Sequence, residues 1–202
     1  MTRIGVIVGS TRPGRRAATV AAWVAEVAAR HPTVASGVSV EVVDLAAYGL
    51  PLLDEPVPAI VGDYRHEHTR RWASTIAAYD GFVFVTPEYN HSFPAALKNA
   101  LDFLYAEWGD KAAGFVGYGG LGGTRAVEQL RLTLAELRVA TVRTQVALSK
   151  YTDVELFTDP GAWTPGQDQE AALGELLDEV IAWSRALQPL RAATAGTAGA
   201  AV

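Results

Sequence analysis

The chain has 202 residues and a formal net charge of −5; half of its residues are hydrophobic and 19% are charged. This composition is typical of a folded globular protein, and the length suits a single domain. The negative charge argues against a nucleic-acid-binding protein, whose affinity depends on neutralising phosphates. The absence of cysteine excludes disulfides, thiol nucleophiles and cysteine metal sites. Because we find neither a signal-peptide pattern nor an apolar run that could span a membrane, we expect a cytoplasmic protein.

Apolar, β-branched runs predict five strands, and five helical patterns alternate with them along the chain. The predicted strands are Ile4–Gly9, Val38–Val43, Gly81–Val85, Ala112–Gly117 and Val139–Leu148. The predicted helices are Ala17–Arg30, Asp63–Tyr79, Ala95–Tyr105, Thr124–Arg138 and Gln167–Leu187. This alternation predicts a doubly wound parallel sheet with helices on both faces. Two strand orders stay open at this point, 2-1-3-4-5 and the order of a dinucleotide-binding fold.

The first loop, Gly9–Arg16, joins the first predicted strand to a helix and carries hydroxyl and arginine side chains. A helix amino terminus presents free amides and a positive dipole, which favour a phosphate. Ser10 adds a hydroxyl group, and Arg12 adds positive charge. Arg15 and Arg16 stand where a P-loop requires Lys followed by Ser or Thr, so hydrolysis of a nucleoside triphosphate is disfavoured. We therefore predict a phosphate-binding loop; a solvent-facing basic turn is the alternative.

The second loop, Thr86–Pro94, follows the third predicted strand and has a proline near each end. Pro87 fixes its own φ and keeps the preceding residue extended, and Pro94 suits the start of the following helix. The polar residues between them include Glu88, Tyr89 and Asn90. Since ligands of open α/β sheets bind beyond the carboxyl ends of the strands, we predict that this loop faces a planar polar ligand. An ordinary connection with surface polar residues is the alternative.

The third loop, Gly117–Gly123, contains a formal Gly-x-Gly-x-x-Gly pattern between a strand and a helix. This dinucleotide fingerprint normally follows the first strand of the sheet, and here no acidic residue ends the next strand to bind a ribose. The pattern is therefore a weak indication of a dinucleotide site. The glycines instead indicate a backbone that approaches a flat ring closely.

The sequence predicts neither a metal site nor a side chain that acts as a conventional catalyst. His66 and His68 are two positions apart and would not share a helix face, and no further His or Cys completes a metal site. No Gly-x-Ser-x-Gly motif anchors a hydrolase triad. Glu88 and His91 lie in one loop as a conceivable acid–base pair, but such residues more often bond backbone amides.

Together, the three loops resemble those of the NADPH-dependent FMN reductase family, which are flavodoxin-like enzymes that include quinone, azo-dye and chromate reductases. The longest matching run is Pro-Glu-Tyr-Asn-x-Ser-x-Pro-x-x-Leu-Lys-Asn-Ala-x-Asp, at residues 87–102. Two shorter runs complete the resemblance: Gly-Ser-Thr-Arg-Pro-Gly-Arg at 9–15 and Gly-Gly-Leu-Gly-Gly-Thr-Arg-Ala at 119–126. The resemblance covers about residues 3–187, and its main departure is Ala95, where the family commonly has Gly.

The resemblance implies a flavodoxin-like fold of strand order 2-1-3-4-5 in residues 1–188. Composition predicts that the Ala/Gly/Thr-rich segment 189–202 is a disordered tail. The resemblance also implies a homodimer or homotetramer built partly from the helix after the second loop. In that helix Lys98 and Asp102 would pair internally or across the subunit interface.

The resemblance further implies that bound FMN performs the chemistry, with NADPH or NADH as the co-substrate and a quinone, azo compound or free flavin as the electron acceptor. Backbone amides from Glu88 to Asn90 would stabilise charge on the reduced ring. The implied FMN-binding residues are Ser10, Arg12, Arg15, Arg16, Ala17, Pro87, Glu88, Tyr89, Asn90, Ser92, Gly119, Gly120, Gly122 and Gly123. A flavodoxin-like electron carrier or sensor without NAD(P)H turnover is the alternative function, although flavodoxin itself has no arginine in its phosphate loop.

Overall fold

The computed structural model describes residues 1–198, which form a layer of parallel strands between two layers of helices. Within these residues the sheet has five strands in the order 2-1-3-4-5, which confirms the predicted flavodoxin-like fold. The strands are β1 Thr2–Val8, β2 Val38–Asp44, β3 Gly81–Pro87, β4 Ala112–Gly119 and β5 Ala140–Ser149. All neighbouring strands are parallel, so their carboxyl ends meet at one edge of the sheet.

The helices pack on both faces of this sheet. They are α1 Ala17–Arg30, α2 Pro32–Ala35, α3 Glu67–Ala77, α4 Ala95–Asp102, α5 Thr124–Glu136, α6 Val154–Thr158, α7 Gln167–Ala186 and α8 Gln188–Ala198. The sequence patterns do not predict α2 or α6, because such short helices do not show a helical period. Among residues 1–198, we find no helix with the length and apolar character needed to span a bilayer.

The central strand β3 is buried along its whole length, because helices cover it on both sides. Successive side chains of a strand point to opposite faces. Phe82 and Phe84 therefore join the core beneath α3, α4 and α5, while Val83 and Val85 join the core beneath α1 and α7. β-branched and aromatic residues suit such a strand, and they give the loop that follows it a rigid base.

Helix α3 begins later than predicted, at Glu67 rather than at Asp63. The residue before it, His66, is extended, with φ −96° and ψ 145°. The carboxylate of Glu55 accepts hydrogen bonds from the N–H groups of Arg65 and His66 at 2.8 and 3.0 Å. Glu55 holds the residues before the helix from outside the helical pattern, so local periodicity does not reveal where the helix starts.

Part of the segment predicted as a disordered tail, 189–202, lies in a helix, α8, which spans Gln188–Ala198. Alanine favours a helix, and Arg191 anchors this one to the sheet. The Arg191 guanidinium donates hydrogen bonds to the carboxylate of Asp80 at 2.7 Å and to the carbonyl oxygen of Asp110 at 3.0 Å. Composition did not reveal the contacts of Arg191, because its partners are distant in sequence. Residues 199–202 of the predicted tail lie outside the described part of the chain.

We expect Lys111, which is 4% exposed at the start of β4, to make stability depend on pH. Burial and the nearby Arg191 lower the pKa of its amine from 10.5 to about 7. Between these pH values the unfolded chain holds a proton that the folded chain releases, so the free energy of unfolding should rise with pH, by up to about 3 kcal/mol from pH 7 to pH 9.5. Urea denaturation of wild type and Lys111→Met should show a smaller rise in the variant. Equal rises in both proteins would contradict the assignment.

Candidate functional site

A cleft of about 310 Å³ opens at the carboxyl ends of β1, β3 and β4, where the three predicted loops meet. Its walls come from the first loop, the second loop, the end of β4 and helix α6. The lining residues are Arg12, Gly14, Arg15, Arg16, Pro87, Glu88, Tyr89, Tyr118, Gly119 and Phe157. Residues that are far apart in sequence thus form one concave surface, which is where this class of sheet binds its ligands.

The first loop turns sharply before α1 and leaves the helix start open to the cleft. Gly14 has a positive φ of 67°, and the N–H of Arg15 donates to the carbonyl oxygen of Arg12 at 3.1 Å. Arg16 occupies the N-cap position, and within the described chain no side chain caps α1 there. Apart from the Ala17 N–H, which bonds the Tyr118 phenol, the amides of the first helical turn therefore remain as donors beside the cleft.

The three arginines of this loop have different environments. Arg12 is exposed. The guanidinium of Arg15 forms an ion pair with Asp44, but its Nε is buried and has no hydrogen-bond partner among the described residues. Arg16 donates to the carbonyl oxygens of Gly14 and Phe157 at 2.8 and 2.9 Å. It therefore ties the first loop to α6, a contact that the sequence does not predict.

The hydroxyl groups of Ser10, Tyr89 and Tyr118 lie close together at the cleft. Ser10 is fully buried, and its Oγ lies 3.2 Å from the phenol oxygen of Tyr89. Tyr118 is 5% exposed. Burial and the neighbouring Tyr89 raise the pKa of the Tyr118 phenol, although hydrogen bonds with Ser10 and the Ala17 N–H oppose this. The phenol thus stays protonated near neutral pH beside the start of α1.

The Glu88 carboxylate points to α5 rather than into the cleft. It accepts hydrogen bonds from the backbone N–H and the Nε of Arg125 at 3.1 and 2.6 Å, and the Glu88 side chain is 5% exposed. Burial raises the pKa of this carboxyl group, but hydrogen bonds and the charge of Arg125 outweigh burial and lower it. Arg125 thus engages the carboxylate, while Glu88 still belongs to the cleft lining; that the second loop faces a planar ligand stays a prediction.

Residues 89–92 form a tight turn. The N–H of Tyr89 donates to the Ser92 carbonyl at 2.8 Å, and the N–H of Ser92 donates back at 3.1 Å. Asn90 and His91 have φ of 50° and 70°, a left-handed geometry that Asn and His tolerate better than most residues. The Glu88 N–H donates to the Tyr118 carbonyl at 3.1 Å. Two of the three amides expected to stabilise a reduced ring, those of Glu88 and Tyr89, are thus already engaged.

The glycines of the third loop have two different roles. Gly119 lines the cleft and has a φ of 154°. A Cβ added to it would lie 3.4 Å from the Cβ of Glu88. Gly122 and Gly123 are buried, each with φ 69°, and a Cβ on either would lie 2.7 Å from a neighbouring atom. Ser149 holds the loop by donating its hydroxyl to the carbonyl of Gly120 at 3.1 Å. Gly122 and Gly123 therefore shape the loop instead of lining the cleft.

The cleft contains half of the fourteen predicted residues: Arg12, Arg15, Arg16, Pro87, Glu88, Tyr89 and Gly119. The other seven are outside its lining: Ser10, Ala17, Asn90, Ser92, Gly120, Gly122 and Gly123. Of these, Ser10 contacts the lining residue Tyr89. The prediction missed three lining residues, Gly14, Tyr118 and Phe157. Gly14 stands inside the first loop and Tyr118 inside the glycine loop, so both had a signal in the sequence; Phe157 lies in a segment without a diagnostic pattern.

Comparisons with a family profile and with individual relatives indicate the same family. The profile of the NADPH-dependent FMN reductase family matches residues 2–153. The chain is 42% identical over 176 residues to an NAD(P)H-dependent FMN reductase of Schizosaccharomyces pombe, covering 86% of this chain and 84% of the relative. It is 30% identical over 190 residues to a 2-hydroxy-1,4-benzoquinone reductase of Burkholderia sp., covering 91% and 96%.

Among solved structures, the fold matches a flavoenzyme NAD(P)H:(acceptor) oxidoreductase from Paracoccus denitrificans. The TM-score is 0.65 at 23% identity, and the match covers 94% of this chain and 98% of the other. The family profile spans all three loops that surround the cleft. From the profile match and the identity to its curated members, we conclude that this chain belongs to the NADPH-dependent FMN reductase family.

Proposed function

We propose that this protein is an FMN-dependent NAD(P)H oxidoreductase. In the proposed ping-pong cycle a nicotinamide delivers hydride and leaves, and a quinone, azo compound, free flavin or similar acceptor is then reduced in the same cleft. When bound, FMN supplies the hydride-transfer chemistry of both half-reactions. The observation that carries the proposal is the meeting of three loops around one cleft, and relatives named as FMN and quinone reductases support it.

The phosphate end of FMN fits the amino terminus of α1. The first helical turn has no side-chain cap among the described residues, and such a terminus favours an anion. The buried Ser10 hydroxyl and the partnerless Nε of Arg15 are donors at the same loop. Arg12 is exposed beside them. These groups would bind the phosphate and fix the position of the rest of the cofactor.

The ring end of FMN fits the backbone of the second and third loops. Pro87, Tyr89 and Gly119 line this part of the cleft, and the φ of 154° at Gly119 suits glycine because a side chain would be strained there. The Tyr118 carbonyl engages the amide of Glu88, and the turn engages that of Tyr89. We therefore assign the stabilisation of negative charge on the ring to the third amide of this set, the Asn90 N–H. The chain's contribution is thus position and electrostatics.

The competing function is an FMN-binding electron carrier or sensor that a partner protein reduces. We expect purified protein, incubated with FMN and desalted, to keep an absorption band near about 450 nm. In anaerobic stopped flow, NADPH or NADH should bleach this band before any acceptor is added, and 1,4-benzoquinone should restore it. A band that survives every nicotinamide concentration would support the carrier, and a protein that retains no flavin would contradict both functions.

The oligomeric state and location stay predictions: a homodimer or homotetramer, in the cytoplasm. Lys98 and Asp102 do not require a subunit interface, because the Lys98 Nζ lies 2.7 Å from both carboxylate oxygens of Asp102 within α4. Light scattering from the purified protein would separate monomer, dimer and tetramer.

A further inference from the structure

One ion pair, between the buried carboxylate of Glu88 and the partly exposed guanidinium of Arg125, joins the second loop to the third at the edge of the cleft. Glu88 lies at the end of β3, and Arg125 lies in the first turn of α5. Besides the bonds from the Arg125 N–H and Nε, its guanidinium is in ion-pair contact with the Glu88 carboxylate. The Nη1 of Arg125 also contacts the Nε2 of His91 at 2.7 Å. Since a guanidinium only donates, this Nε2 is the acceptor of the contact.

The pair has two consequences for the cleft. The carboxylate serves as the anionic cap of α5, whose own N-cap residue, Gly123, offers no capping side chain in the described structure. It also places a negative charge, 5% exposed, beside the cleft that Glu88 lines. Charges interact more strongly away from water. Arg125 cancels that charge locally, so a group bound in the cleft experiences little net field.

We propose that Arg125 is a positioning residue that holds Glu88 against α5 and balances its charge, and that this balance sets the reduction potential of the bound flavin. The inference rests on the proposed function. Reduction brings electron density onto the flavin ring. An unbalanced carboxylate nearby would oppose reduction, and an unbalanced guanidinium would favour it. The pair therefore acts by its net charge and does not have to touch the ring.

The test is the two-electron midpoint potential of bound FMN at pH 8.5, measured for single variants that break the same pair. Arg125→Gln leaves Glu88 unbalanced and should shift the potential to more negative values; Glu88→Gln leaves Arg125 unbalanced and should shift it to more positive values. We expect each variant to change the ratio of reduced to oxidised flavin at a fixed potential at least threefold. For a two-electron couple this corresponds to a shift of about 14 mV in the midpoint potential. The double variant should return towards the wild-type potential.

This pattern separates charge balance from loop structure. If the pair only braced the two loops, both single variants would shift the potential in the same direction and the double variant would not recover; that result would overturn the proposal, as would unchanged potentials. Arg125→Lys keeps the charge and should restore the potential. Arg138→Gln removes the same charge from an ion pair with Asp110, at the amino end of the sheet, and should leave the potential unchanged.

A second readout needs no flavin. In the flavin-free protein, Arg125→Gln should raise the pKa of Glu88, because burial raises this pKa and the variant lacks the Arg125 charge that lowers it. Carbon NMR titration of the Glu88 carboxyl group would measure this change, and an unchanged titration would contradict the role of Arg125. Wild type that binds no FMN would refute the proposed function alone, whereas tight FMN binding with unmoved potentials would refute this inference alone.

Discussion

Replacing Gly123 with alanine should lower the free energy of unfolding by about 2–5 kcal/mol and weaken FMN binding at least about 100-fold. Gly123 has φ 69°, where a side chain is strained, and its Cβ would lie 2.7 Å from the backbone nitrogen of Tyr118 and 3.0 Å from Gly117. Backbone on that side belongs to β4 and cannot move without disturbing the sheet. Urea denaturation and titration of FMN fluorescence would measure the two effects.

Gly120→Ala provides the matched control in the same loop. Among the described residues, a Cβ on Gly120 would meet nothing within 4 Å, and this residue does not have a positive φ. We therefore expect its stability and FMN affinity to stay close to those of the wild type. If the two variants behaved alike, the shape of the loop would not depend on the close approach at Gly123, and our description of the third loop would be wrong.

Replacing Arg12 with alanine should weaken FMN binding about 10- to 100-fold while leaving riboflavin binding unchanged. A hydrogen bond to a charged group contributes about 1.5–3 kcal/mol, and every 1.4 kcal/mol is about tenfold in affinity. Riboflavin has the same ring but no phosphate, so the ratio of the two affinities isolates the phosphate end of the site. Fluorescence titration at low and high salt would measure both, and the FMN difference should shrink as salt screens the charge.

Arg30→Ala is the control for this change, because Arg30 is a half-exposed arginine in the last turn of the same helix, α1. It removes the same charge at the far end of the helix and should alter neither affinity. Equal losses for FMN and riboflavin in Arg12→Ala would mean that Arg12 supports the ring or the fold, and the phosphate assignment would then fail.

The local sequence pattern was sufficient to predict those elements whose structure depends on local interactions. Helix α1 has the predicted bounds, Ala17–Arg30, because a run of alanine and valine without Gly or Pro defines it. The strands are placed well for the same reason, and the order 2-1-3-4-5 follows from the family resemblance. Because parallel strands end at one edge, the meeting of the three loops could also be expected from the sequence.

The sequence could not show where side chains point within the site. Glu88 was expected to face a ligand, yet its partner Arg125 is 37 positions away, and that contact turns the carboxylate onto α5. Arg16 was expected to bind a phosphate, but its guanidinium reaches Phe157, 141 positions away. Both differences arise from tertiary contacts of long, flexible side chains, which neither periodicity nor motif spacing records.

The contacts of Arg191 have a consequence for the order in which the protein is completed during synthesis. Asp80, which accepts from Arg191, also accepts from the backbone N–H of Arg3 at 2.8 Å. One residue near the end of the chain therefore secures the beginnings of β1, β3 and β4, and it leaves the ribosome after all five strands. Until then the amino edge of the sheet lacks this fastening.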